Sequence, residues 1–444
     1  MNRHATSLLV SAALCVAAVL PARAEMDVAR LKAAIETSFE ADYPRLDALY
    51  KDLHAHPELA FQEVKTAARL ADEMRALGFE VTEKVGKTGL VAIYNNGDGP
   101  TIMVRTELDA LPMEEKTDLP YASRAKAAWY GRETFVAHSC GHDIHMANWV
   151  GTAKMLLGMK DQWKGTLMFI AQPAEETVEG ARAMLEDGLF TRFKKPDFAF
   201  ALHSGAGPHG FVNYRVGVGS SNVDGLYVKF KGRGGHGAIP HRTFDPIMLA
   251  ARSIADGQAA SSRDKDPTQL GIVTVGSIHA GTVGNIIPDE AQLLGTIRSF
   301  KPEVRARMLA GIERTANAVA AMSDAPKPEI RMNEGTKAVM NDPGVVATAE
   351  KVLKTAFGDK LRQTPANTTS EDFSEFAGAG VPSMMFNIGV YEPEKWMAAN
   401  KDGKPLAGNH SPQFAPVPKP TLQTGITAMT LAVLGAFDQH ARGK

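Results

Sequence analysis

Cysteine is almost absent from this sequence, with two residues, Cys15 and Cys140, among 444. That excludes a disulfide-stapled scaffold. A dominant charge is missing too: 49 Lys and Arg face 50 Asp and Glu, for a formal charge of −1. Without a basic stripe, no nucleic-acid partner is expected. No apolar run reaches the roughly 20 residues that a membrane-spanning helix needs. The 40 Gly and 25 Pro follow no period, which excludes a collagen-like chain, and there is no repeat or low-complexity tract. What is present is 44% hydrophobic and 22% charged residues, the balance of a globular protein. At about 150 residues per domain the length predicts two or three domains.

The first 24 residues read as a secretory signal peptide. Arg3 and His4 make a short basic start, Ser7 to Leu20 is almost continuously apolar, and Ala22 and Ala24 put small residues before a cut at Glu25. The apolar run is too short to span a bilayer. The expectation is therefore an exported, periplasmic protein with no membrane anchor once the leader is removed. Cys15 leaves with the leader, so Cys140 has no disulfide partner within the mature chain and is either a buried small hydrophobe or a functional thiol.

Helical periodicity covers Asp27 to Leu77, with Gly78 as a stop. Val91 to Tyr94, Thr101 to Leu108, Gly165 to Ala171, Asp197 to Leu202 and Val381 to Ile388 read as buried strands, and Ile144 to Met159 and Glu179 to Glu186 as helices between them. This alternation predicts an α/β fold, a mixed sheet covered by helices on both faces. Between residues 222 and 333 the order changes to strand, helix, strand, strand, helix, strand, the split unit of a ferredoxin-like α+β sandwich. That segment reads as an insertion, leaving 25–221 and 334–444 as one catalytic domain.

Ligands of open parallel sheets bind beyond the carboxyl ends of the strands. Glu107 and Asp109 close one predicted strand, Cys140-Gly-His142-Asp143 precedes a helix, Glu175 and Glu176 follow another strand, and His203 follows a third. Thiolate, imidazole and carboxylate together suit zinc or a neighbouring transition metal rather than calcium or magnesium. A glutamate pair lets one carboxylate ligate metal while the other takes a proton from the attacking water. A thiolate just before a helix N-terminus is expected to gain from the helix dipole.

Seven segments in order carry a resemblance: Leu108-Asp-Ala-Leu-Pro112, Cys140-Gly-His-Asp143, Gln172-Pro-Ala-Glu-Glu176, Gly234-Gly-His-Gly-Ala238 with Pro240-His241, Asn285-Ile-Ile-Pro-Asp289, Ser370-Glu-Asp-Phe373 and Asn409-His410. The chain resembles the metal-dependent amidohydrolases that include hippurate hydrolase, N-acyl-amino-acid amidohydrolases and indole-acetyl-amino-acid hydrolases, relatives of aminoacylase and the glutamate-releasing carboxypeptidases. The resemblance implies hydrolysis of the amide of an N-acyl amino acid, with a dipeptidase or exo-carboxypeptidase as the alternative and a catalytically silent ligand-binding protein as a third reading.

It further implies that Cys140, His142, Glu176, His203 and His410 hold two divalent ions, zinc or manganese, with Glu175 as general base and Asp109 orienting a ligand. His236, in the inserted lid and dimerisation domain, would act from a neighbouring subunit of a homodimer as donor to the oxyanion. Asn285 and Arg298 would hold the carboxylate of the small-molecule substrate. His203-Ser-Gly-Ala-Gly207 stands where the family has bulkier residues, which would open the acyl side of the pocket. His145 is expected to pack beside the site.

Overall fold

The computed structural model describes residues 26–443; the expected signal peptide lies outside the described residues. The helical stretch near the start is two helices, Val28–Ala55 and Val64–Ala76. Asp27 caps the first by accepting from Arg30 N at 3.0 Å. The single helical run expected over Asp27 to Leu77 is interrupted after Ala55 because the residue before Pro57 is pushed out of helical backbone.

The larger sheet has eight strands in the spatial order Glu80–Val85, Gly89–Asn95, Thr166–Gln172, Thr101–Glu107, Phe198–Pro208, Ser383–Tyr391, Val212–Tyr214, Leu361–Gln363. The four central members run parallel, while Gly89–Asn95 and Val212–Tyr214 join them antiparallel. Short outer strands such as Leu361–Gln363 carry too few apolar residues to announce themselves in the sequence.

The central strands are buried on both sides, and the pleat sorts their side chains between two cores. Ile102, Val104, Phe169 and Phe200 pack with the helices Val28–Ala55, His142–Gly158 and Pro418–Arg442. Met103, Met168, Ile170 and Ala201 pack on the other face with Met184, Phe373 and Phe376.

The smaller sheet has four antiparallel strands in the order Gly271–Ala280, Glu290–Ser299, Asn222–Lys231, Glu329–Thr336. Its order is second, third, first, fourth along the chain, the ferredoxin-like arrangement. Helices Pro246–Ser262 and Pro302–Ala321 cover one face through Leu249, Met308 and Ile312 against Leu226, Val228 and Phe230. The two chain connections to the larger body are tied together where Met340–Asn341 pairs with Gly217–Val218.

Helix His142–Gly158, whose first turn enters the site, is held against helix Pro418–Arg442 by reciprocal glycines. A Cβ on Gly151 would overlap Ile426, and one on Gly425 would overlap the amide of Asn148. That amide has little freedom to retreat, because Asn148 Nδ2 donates to Ile144 O at 2.8 Å. Gly425→Ala should therefore cost about 1–3 kcal/mol by overpacking, read as a lower urea midpoint. Gly158→Ala, with open space at its Cβ, should leave the midpoint unchanged or raised.

Candidate metal centre

Most of the side chains are delivered by a strand end or a helix start, and His410 by the loop before helix Pro418–Arg442. His142 is the first residue of its helix, after Gly141 at φ 90°. Its Nδ1–H donates to the carbonyl of Asp109 at 2.7 Å, which turns the lone pair of Nε2 toward the Glu175–Glu176 turn. Nε2 lies 3.7 Å from Glu175 Oε2 and 3.9 Å from Glu176 Oε1. Asp109 does a second task. Its two carboxylate oxygens accept from the backbone N–H groups of Glu175, at 3.0 Å, and Glu176, at 2.9 Å. The tight turn they brace holds Ala174 at φ 48°.

His203 stands on strand Phe198–Pro208, with Nδ1–H donating to Ser204 O at 2.7 Å and Nε2 lying 3.5 Å from Cys140 Sγ. His410 donates its backbone N–H to Ser139 O at 2.7 Å, and its Nε2 lies 3.3 Å from Glu176 Oε2. Asn409 Nδ2 donates to Cys140 O at 2.7 Å and Ser204 O at 3.0 Å, joining the thiol loop to the histidine strand. The five residues expected as ligands thus share one small volume. Donor atoms of Cys140, His142 and His203 fall within 4.8 Å of one another, as do those of Cys140, Glu176 and His410.

The electrostatics call for a cation. Burial pushes Cys140 well above the ordinary thiol range, and Glu176 and Glu175 add to it. The helix-dipole stabilisation expected of this thiolate is outweighed by that burial and those carboxylates. Burial alone would lower His142, but its bond to Asp109 and the charges of Glu107 and Glu176 raise it to about 10. A field that holds a proton on a buried imidazole also favours a metal ion. Burial likewise raises Glu176 to about 7 and Glu175 well above the carboxylate range, the latter helped by Glu371.

Two buried ligand atoms, His142 Nε2 and Glu176 Oε1, have no hydrogen-bond partner among the described residues. Orphaned atoms of this kind, among soft and hard donors together, fit divalent transition metal ions, and Cys140 belongs to two donor groups, which fits a pair of ions.

Beneath the site lies a charged cluster whose roles the sequence did not reveal. Arg105 is fully buried and bonds Glu107, Glu371 at 2.8 Å and Asp372 at 3.2 Å, with Nε donating to Gln172 Oε1 at 3.0 Å. The available signal was an Arg and a Glu inside an otherwise apolar strand. His145 packs as expected, with Ser204 N–H donating to its Nε2 at 2.8 Å and its Nδ1 facing Glu107 at 3.0 Å.

A cavity of about 970 Å³ opens over these groups at the junction of the two sheets, lined among others by Cys140, Glu175, His203, His410 and, from the smaller domain, Arg298. Arg298 Nη1 donates to Thr368 O at 3.1 Å. The joint Asn285–Arg298 carboxylate clamp does not form within one chain. Strand Glu290–Ser299 puts eight residue steps, roughly 27 Å, between Glu290 and Arg298. Asn285 lies beyond Glu290 on the same ribbon, beside His236, which pairs with Ile286. His236 is exposed, and neither it nor Asn285 lines the cavity.

Comparison with known proteins places this geometry. The model of peptidase family M20/M25/M40 matches residues 103–404. The chain belongs to that family. It is 33% identical over 366 residues to N-acetylcysteine deacetylase of Bacillus subtilis, covering 80% of this chain and 91% of that protein. Thermostable carboxypeptidase 2 of Saccharolobus solfataricus is 32% identical over 389 residues, covering 86% and 93%. Among solved structures, a dinuclear metal-binding M20 peptidase of Bacillus subtilis superposes with a TM-score of 0.73 at 27% identity, over 91% of this chain and 99% of that one.

Because the Asp109 carboxylate braces both glutamates, Asp109→Ala should weaken metal binding about 10–100-fold, while the backbone carbonyl that orients His142 stays in place. Competition against a chromogenic chelator measures this directly. Stripping metal from the wild-type protein should lower its Tm, and the loss should be smaller in the variant.

Proposed function

We propose that this protein is a metal-dependent amidohydrolase that cleaves the amide of N-acyl amino acids, releasing a carboxylic acid and an amino acid. The observation that carries the reading is the Asp109 brace. It fixes two adjacent glutamates that both face His142 Nε2, of which Glu176 carries the orphaned oxygen suited to a ligand, leaving Glu175 as the base.

Cys140, His142, Glu176, His203 and His410 would hold two ions, zinc or manganese by the chemistry of a mixed thiol, imidazole and carboxylate set. When bound, such ions acidify a water and polarise an amide carbonyl. Glu175 takes the proton from the attacking water and returns it to the leaving nitrogen. The raised proton affinity of its buried carboxyl suits that carrier role. Arg298, lowered only by burial and facing the cavity without a carboxylate partner among the described residues, receives the amino acid's carboxylate.

His236 and Asn285 would serve the site of a second copy in a homodimer. Their distance from Arg298 along the ribbon supports this, as do the exposed Met248, Val283 and Ile286 on the same domain, a surface suited to burial between subunits. From that position His236 donates to the developing oxyanion. An exo-carboxypeptidase is the second reading, supported by the carboxypeptidase among the relatives. Export to the periplasm rests on the leader sequence alone.

Glu175→Gln should keep fold and metal content while lowering kcat on N-acyl amino acids by several orders of magnitude. Stopped turnover at unchanged metal stoichiometry is the expected result, and full turnover would remove Glu175 from the chemistry. His236→Ala and Glu175→Gln proteins should each be nearly inactive alone. After subunit exchange, the mixed dimers hold one complete site each, so about a quarter of wild-type sites should return. An absence of recovery after verified exchange would assign His236 to its own chain or to no site.

A further inference from the structure

The floor of the cavity beside the metal centre is a piece of the larger sheet, and its side chains can be placed by register. His203, Asn387 and Asn213 are direct neighbours across three strands, His203 pairing with Asn387 and Asn387 with Asn213. Paired residues share a face, and all three line the cavity. At strand spacing the row extends roughly 10 Å from the metal-site histidine. Neither asparagine amide makes a side-chain hydrogen bond to another described residue, although both are half-buried.

The adjoining row, one step along the pleat, consists of Gly205 and Gly389, which also pair. A Cβ on Gly205 would meet nothing nearer than Asn409 Oδ1 at 3.7 Å, so the floor is open there, whereas one on Gly389 would overlap the backbone of Pro208, a close approach of two strands. The row at His203 and the glycine row beyond it thus carry no aromatic or aliphatic side chain and offer two amides without side-chain partners among the described residues, while Met385, on the same face behind Asn387, supplies apolar surface to the cavity. A group that is only hydrocarbon would leave these two amides without a partner once water is displaced. Across the cavity stands Arg298, which takes the carboxylate end of the substrate in the amidohydrolase reading on which this inference rests, leaving the acyl half to the floor.

We propose that Asn387 and Asn213 determine acyl specificity, selecting acyl groups that carry a neutral hydrogen-bonding function, such as a carboxamide, a few bonds from the scissile carbonyl. Each amide offers two donors and an acceptor, so the pair matches a carboxamide at both its oxygen and its nitrogen. A hydrocarbon of equal size would strip water from both amides and return no bond, which is the condition under which a polar site discriminates strongly.

The test holds the amino acid constant and varies the acyl group. The metal-loaded wild-type protein is assayed on N-(3-carbamoylpropanoyl)alanine and on its isostere N-(4-methylpentanoyl)alanine. The expected result is a kcat/KM ratio of about tenfold or more in favour of the carboxamide. Asn387→Leu and, separately, Asn213→Leu should collapse or invert the ratio, and either variant suffices if the other does not fold. Binding is read independently by calorimetry of the same two compounds on metal-loaded Glu175→Gln protein, where the carboxamide should bind more tightly. Equal or hydrocarbon-favouring ratios in the wild type overturn the inference, as does a carboxamide preference that survives both substitutions. If no N-acyl amino acid is cleaved at all, the amidohydrolase reading fails, and the calorimetric comparison still decides whether the floor prefers the carboxamide.

Discussion

The site is organised by an excess of buried negative charge at one edge of a parallel sheet. Glu107, Asp109, Glu175, Glu371 and Asp372 are all buried, and Glu176 has an oxygen cut off from solvent. Arg105 satisfies part of this charge by binding Glu107, Glu371 and Asp372, and it is held there by more attraction than its own burial costs. Asp109, Glu175 and Glu176 make no bond to it, although its charge acts on Glu175, and they crowd around His142. In a low-dielectric interior such a cluster requires either bound protons or bound cations. Two ions beside Cys140, His142, His203 and His410 would meet that need, and the same ions would turn a stubbornly protonated thiol into a ligand.

The charge can be gathered because the chain is arranged to deliver it from far apart. Asp109, Glu175, His203 and His410 come from four separate segments whose strands or turns all end at the same edge. The links between segments all end on backbone groups: the Asp109 carboxylate on the amides of Glu175 and Glu176, the Asn409 side-chain amide on the carbonyls of Cys140 and Ser204, and the His410 N–H on the carbonyl of Ser139. A site held this way keeps its spacing without relying on the side chains that must exchange protons or ligands. The reciprocal glycines of the two long helices then fix the depth at which His142 starts its helix.

The smaller domain contributes unevenly. Arg298 sits at the end of its ribbon nearest the cavity, while His236 and Asn285 sit at the far end beside exposed apolar residues. The two ends of this antiparallel ribbon therefore lie about a strand length apart. In the proposed homodimer, such a ribbon would serve one site from its near end and another from its far end.

The sequence by itself determined the class of the fold, the residues at strand ends and the ligand chemistry of the cluster. Those are local matters: apolar runs, helix starts, and ligand-type residues immediately after them. The runs at Thr101 to Leu108 and Gly165 to Ala171 became central strands, and each of the five expected ligands reached the same small volume. What only the tertiary structure decided was partnership between segments. Arg105 with Glu371, Asp109 with two backbone amides, Asn387 beside His203, and the separation of Asn285 from Arg298 all depend on strand order and register. A linear sequence does not carry that order, because pairing is chosen by burial and hydrogen bonding summed over the whole sheet.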